Sequence, residues 1–317
     1  MLDSVLNLSQ NILFIHRALD WIDANLKLFN PSQRENFADR LRLTPIVELS
    51  IVCLYLHREP EFKQDARLKS FLEFISKIYT NLSIREHLLQ GDETFISYAW
   101  IAIVLNTCGL LTGDYEQQVI QELVNFSNVQ YREMLPFHRI ELRNLLDFGN
   151  FTHRLPSYET LYQSSILSKP LNILYMTDRD IYSVTHVLFF LSDFGWRPLT
   201  MISPSQLEQI CRKVEQLLKM CIQRKNWDLV GELLICYHCL GENTSMLYRA
   251  GWQALIDAQW ESGAVPGPNY KQMKSENFED SKQQEYVFQQ CYHTTLVAAL
   301  GGALCHRKTV NEVDLRL

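Results

Sequence analysis

The chain has 317 residues, of which 47% are hydrophobic and 21% charged, with a formal net charge of −6. That is enough for one large domain or two smaller ones with a sizeable core, and mild acidity without a basic block argues against nucleic acid as the main partner. No window reaches the roughly eighteen uninterrupted apolar residues that an integral membrane segment needs.

The opening Met-Leu-Asp-Ser-Val-Leu-Asn lacks the basic and long apolar stretches of a signal peptide. The cysteines, among them Cys53, Cys221 and Cys236, sit mostly beside Leu, Ile and Val. They read as reduced small hydrophobes, and the expected location is cytoplasmic.

Apolar residues recur with helical period along the chain, and strand-like alternation is hard to find. A first helix is expected over about 4–29, closed by Asn30-Pro31-Ser32. A nearly uncharged one follows Thr44-Pro45, over 46–57, and an amphipathic one occupies 62–81 after Glu59-Pro60. Gly91-Asp92-Glu93-Thr94 is a turn with capping acids before another apolar helix at 94–110.

Helices at 115–127, 136–148 and 157–166 precede an apolar helix at 180–194, headed by Asp178-Arg179-Asp180. Ser203 caps and Pro204 opens a long charged helix to Arg224. The rest reads as a helix at 227–240, one at 244–260, a long loop at 261–284 of the kind that often forms a lid, and a last apolar helix at 285–305.

This is about six repeats of one unit: a helix with a charged face, a turn, and a helix apolar all round. An amphipathic helix can face solvent, whereas one that is apolar all round must be surrounded. The expected fold is therefore all-α, a single domain over 1–317 shaped as an (α/α)6 toroid with an inner ring of apolar helices. An open superhelix of helix pairs has the same local pattern.

Arg249-Ala250, Leu255-Ile256, Gln259 and Gly263 resemble the repeat motif of terpene cyclases, with Val265 at the aromatic position. In that family the glutamine ties an outer helix to the start of a neighbouring inner one. Tyr292-His293-Thr294 is similar to the stretch in protein prenyltransferase β subunits where a histidine binds zinc. Asp180-Ile181-Tyr182-Ser183 is similar to the stretch supplying their other two ligands. Aligned on Tyr182, those ligands fall on Arg179 and Ile181, so only His293 carries over. The resemblance implies an α/α toroid; zinc is possible, with His293 the best single ligand. The helix-pair pattern also resembles that of uncharacterised bacterial helical proteins.

Asp178, Tyr182, His186 and Asp193 are spaced by four, four and seven and share one helical face. Ionisable groups on an apolar helix are either paired in the core or line a cavity. Asp178, Asp180, Tyr182, His186 and His293 form a candidate acid–base group, since clustered carboxylates shift one another and imidazole titrates near neutrality. The alternative is a helix cap and satisfied core side chains.

Asp92, Glu93, Tyr98, Asp193, Asp228, Glu232, Tyr292 and Thr294 are candidate substrate-binding residues around the same mouth, although helix-starting acids are also explained by capping. Cys236-Tyr237-His238-Cys239 reads as packing, because His238 points away from the two cysteines and no second pair has zinc-site spacing.

The expected function is a cytosolic tailoring enzyme doing acid–base chemistry on a hydrophobic small molecule or peptide, isoprenoid cyclase- or transferase-like in its narrower form. The alternative is a non-catalytic peptide- or ligand-binding helical-repeat module.

Overall fold

The computed structural model describes residues 8–34, 39–81, 88, 91–92, 94–111, 114–242, 245–271 and 280–314. Among them the secondary structure is helical throughout, with no strand. The α-helices are α1 (Leu8–Ala24), α2 (Asp39–Arg58), α3 (Ala66–Asn81), α4 (Phe95–Thr107), α5 (Tyr115–Phe126) and α6 (Pro136–Phe148). They continue with α7 (Tyr158–Ser164), α8 (Asp178–Ser192), α9 (Pro204–Arg224), α10 (Trp227–Leu240), α11 (Met246–Ala258) and α12 (Asp280–Asp314).

Local chemistry sets the main starts and stops. Ser203 and Gln206 cap α9 reciprocally and Pro204 takes its first position, where no N–H is needed. Asn226 accepts from the Leu229 N–H to start α10, and Gly241, left-handed at φ 82°, stops it. The Asn25 side chain donates to the Trp21 carbonyl (2.9 Å) and ends α1 at Ala24, earlier than the apolar pattern implies. In contrast, α2 starts at Asp39 and runs through Pro45. That proline removes one hydrogen bond near the helix start, which the buried Leu43, Ile46 and Leu49 offset.

The even-numbered helices carry the deep core. Every residue of α10 from Asp228 to Cys239 is buried, as is α4 from Tyr98 to Leu105. They pack in order, α2 on α4, α4 on α6, α6 on α8, α8 on α10 and α10 on α12, and α12 also packs on α2. The odd-numbered helices cover them: α1 lies on α12, α3 on α2 and α4, α7 on α6 and α8, and α9 and α11 on α10.

The glutamine tie takes a different form from the one the cyclase resemblance implies. Gln259 donates to the carbonyls of Phe14 (3.0 Å) and Gly263 (3.1 Å), joining α11 to α1 rather than to an even-numbered helix. The expected lid is anchored over its described part. Val265 N–H donates to Thr295, Gly267 N–H donates to the Gln290 carbonyl, and Gly263 sits against the Arg17 carbonyl.

No described helix is long and apolar enough to cross a membrane.

Candidate functional site

Four even-numbered helices bring ionisable side chains together in their N-terminal halves. Asp228 and Glu232 are one turn apart on α10, so their carboxylates share a face. Both are almost fully buried, at 3% and 1% exposure. Glu48 comes from α2, His293 from α12, and Tyr182, Thr185 and His186 from α8.

His293 is the hub. Its Nδ1 lies 3.0 Å from Glu48 Oε2, and its Nε2 lies 3.4 Å from Glu232 Oε1 and 3.6 Å from Asp228 Oδ2. Asp228 accepts from the Tyr182 hydroxyl on one oxygen and from Thr294 Oγ1 (2.8 Å) on the other. Glu232 accepts from Thr185 Oγ1 at 2.5 Å. Thus every buried carboxylate oxygen here has a donor or a cation beside it, which is what burial of charge demands.

The two imidazoles stand above this buried layer, each side chain about a third exposed. His186 Nδ1 is 2.7 Å from the Tyr182 carbonyl, an acceptor, so Nδ1 carries the proton. Whenever that ring carries a single proton, the lone pair is therefore on Nε2. Phe137, Phe189 and Phe190 surround that ring, with centroids 5.5–6.2 Å away. Tyr292 stacks on Phe288 next to His293. The arrangement is a polar floor with an aromatic wall.

The charges pull on one another. Burial alone lowers the His293 imidazole, but the carboxylates of Asp228, Glu48 and Glu232 outweigh it and hold the ring well above the ordinary histidine value. Burial pushes Asp228 up, with Glu232 adding to it against the pull of His293. Burial also pushes Glu232 up; His186, His293 and Thr185 together bring it below the ordinary range. Burial and the Asp228 charge push Tyr182 far up, so it remains a phenol that donates.

Among the described residues, Asp228, Glu232 and His293 form the one group of three His, Cys, Asp or Glu side chains with ligand atoms all within 4.8 Å of one another. The cysteine pair takes no part: Cys236 and Cys239 are buried in α10, and burial drives the Cys236 thiol well up.

Of the residues singled out in the sequence, Tyr182, His186, Asp228, Glu232, His293 and Thr294 come together, with Tyr292 alongside. Several others do not join them. Asp180 is turned back onto Thr177, where the two form a reciprocal capping box. Asp178 is half-exposed and accepts from Asn226 Nδ2 (3.1 Å) beside Arg224, at the edge of the site. Asp92 accepts from the Thr94 backbone (2.7 Å) and hydroxyl in its own turn. Tyr98 is buried within α4. Glu93 lies outside the described residues.

Asp193 is at the other end of α8, where it accepts from the Tyr55 hydroxyl (2.7 Å) and from Arg58 (2.9 Å). Its heptad spacing from His186 keeps it on a shared face but carries it about 10 Å along the axis, given ~1.5 Å of rise per residue.

Two participants were not singled out: Glu48 and Thr185. Glu48 had a signal, as the only acid between Thr44 and His57 in an apolar helix. Thr185 had none, since a buried threonine on an apolar helix is ordinary.

A family model matches residues 15–303. The chain belongs to the family described as "Domain of unknown function (DUF6895)". The matched span of this DUF6895 chain takes in every site residue from Glu48 to Thr294. No curated protein and no solved structure matches it.

Proposed function

We propose that this DUF6895 chain is a cytosolic tailoring enzyme, an (α/α)6 toroid whose mouth does acid–base chemistry on a hydrophobic small molecule or peptide. The return of α12 to α2 after five successive even-helix contacts supports the ring. The observation that carries the chemistry is the set of partly exposed imidazoles of His186 and His293 over the buried carboxylates of Asp228 and Glu232. Interior acids joined by hydroxyl donors are preorganised to stabilise positive charge above them.

In this reading, His186 Nε2 takes a proton from the substrate while its Nδ1–H stays on the Tyr182 carbonyl. The imidazolium formed is stabilised by Glu232, 3.9 Å from Nδ1. His293 and Tyr182 hold the reacting group, and Phe137 and Tyr292 offer apolar surface to the rest of the molecule. Isoprenoid-like cyclisation or transfer is the narrower form.

A second reading, a non-catalytic peptide- or ligand-binding helical-repeat module, is favoured by one fact: each buried acid already has partners within the protein.

Comparing small-molecule extracts of cells producing the wild type or His186→Ala by untargeted mass spectrometry separates the two. A product present with the wild type and absent with an equally stable His186→Ala supports the enzyme. Identical extracts, with a hydrophobic molecule or peptide retained by both purified proteins, overturn it in favour of the binding module.

A further inference from the structure

We infer that Asp228, Glu232 and His293 are the protein ligands of a first-row divalent cation such as zinc or manganese. The ion's catalytic role rests on the reading above; its binding does not.

The distances carry the argument. Nε2 of His293 is 3.4 Å from Glu232 Oε1 and 3.6 Å from Asp228 Oδ2. Both separations are longer than the usual N–H···O range. They are close to the edge of a coordination polyhedron: two donors each about 2.05 Å from a tetrahedral ion stand ~3.3 Å apart. All three ligand atoms fall within 4.8 Å of one another, so one ion reaches them with small side-chain shifts.

The surroundings match what a bound ion needs. A ligating histidine ordinarily gives its other N–H to a carboxylate, which fixes the ring and strengthens the free nitrogen as a donor. Glu48 Oε2, 3.0 Å from Nδ1, is placed to accept that proton and leave Nε2 for the ion. The carboxylate ligands are oriented in turn, Asp228 by Tyr182 and Thr294, Glu232 by Thr185.

The donor set selects the metal. One imidazole with two carboxylates suits zinc, manganese or iron(II) better than calcium or magnesium, which prefer oxygen ligands throughout. With three protein ligands the ion keeps open positions, where it can polarise a substrate oxygen or activate water.

The test uses the full chain, stripped with chelator and dialysed, then titrated calorimetrically with zinc chloride and separately with manganese chloride. Saturable binding of one equivalent of either is expected. Glu232→Gln, which removes a charged ligand at constant shape, should abolish it. Glu48→Gln does not touch the ion and lies on a partly exposed side chain, so it keeps the test sound if Glu232→Gln fails to fold. It should weaken binding by about 10–100-fold. Absence of saturable binding in the wild type overturns the inference. So does wild-type affinity in Glu48→Gln together with wild-type affinity in a folded Glu232→Gln, because the ion would then sit elsewhere.

Discussion

Glu48 Oε2 stands 3.0 Å from Nδ1 of His293, tying the second helix of the chain to the last across 245 residues of sequence. The pair sits where α12 packs against α2, so a polar contact at the site also fastens the fold. Burial works against the charged ring; Asp228 and Glu48 more than compensate and hold it well above the usual histidine value.

For this pair the sign of the pH dependence follows from linkage. A base raised in the folded state adds stability below its unfolded value of about 6.5, and that stability disappears as pH climbs through the folded value. In chelator, the stability gap between wild type and Glu48→Gln should be widest near pH 6 and narrow as the solution becomes alkaline. Urea unfolding at a series of pH values measures it, and histidine NMR should show the His293 ring titrating at lower pH in Glu48→Gln.

Removing a hydroxyl from the polar floor leaves a buried carboxylate short of a donor. Tyr182→Phe does this to Asp228, and Thr185→Val to Glu232. Hydrogen bonds to charged groups contribute roughly 1.5–3 kcal/mol, so each variant should lose about that much by chemical denaturation. Thr160→Val, in a short exposed cap, should change stability by no more than about 0.5 kcal/mol.

Asp193 anchors the opposite end. It takes the Tyr55 hydroxyl and the Arg58 guanidinium, whose Cζ lies 4.0 Å from the Trp196 ring centre. Asp193→Ala strands both donors, and breaking a largely buried charge pair this way costs about 3–5 kcal/mol. Arg58→Met in the same background should recover part of that loss in a double-mutant cycle, since it removes the unpaired cation.

Two glycines separate backbone strain from steric clash. Gly263, at φ 93°, has no room for a side chain, because a Cβ would lie 2.0 Å from the Arg17 carbonyl oxygen. Gly109, at φ 75°, has nothing within 4 Å of that position. Gly109→Ala should cost about 1–2 kcal/mol, the penalty of the left-handed region alone. Gly263→Ala should cost distinctly more and loosen α1 from the loop after α11. Differential thermal unfolding of the pair reports the difference.

The helix pattern was legible because burial demands it. Runs such as Tyr98–Leu105 and Leu229–Cys236 carry no solvent-facing side and have to be enclosed, whatever the topology. Boundaries were less readable: whether Pro45 ends a helix or rides inside one depends on the core beneath it, and Asn25 stops α1 through a side-chain bond that periodicity does not reveal.

Within the site, histidines and acids at the heads of apolar helices stood out, and Tyr182, His186, Asp228, Glu232 and His293 do converge. Sequence spacing could not show which acids turn inward. Asp180 stands three residues after Thr177, where the reciprocal capping box holds it at the helix end, whereas Asp228 is the second residue of α10 and turns inward. Asp193 shows the opposite failure, a residue on the correct face at the wrong height. Glu48 was missed because one acid in an apolar helix acquires meaning only when its partner, far away in the chain, is seen.

The Tyr55–Asp193–Arg58 contact has a further consequence for traffic. It joins α2 to α8, the first and fourth of six even-numbered helices, which in a ring are diametrically opposite members. In the toroid proposed above, such a strut spans the axis rather than running along the wall. Under that proposal one doorway serves both arrival and departure: a ligand reaching the histidines backs out the way it came, and a long linear molecule inserts its tip without threading through.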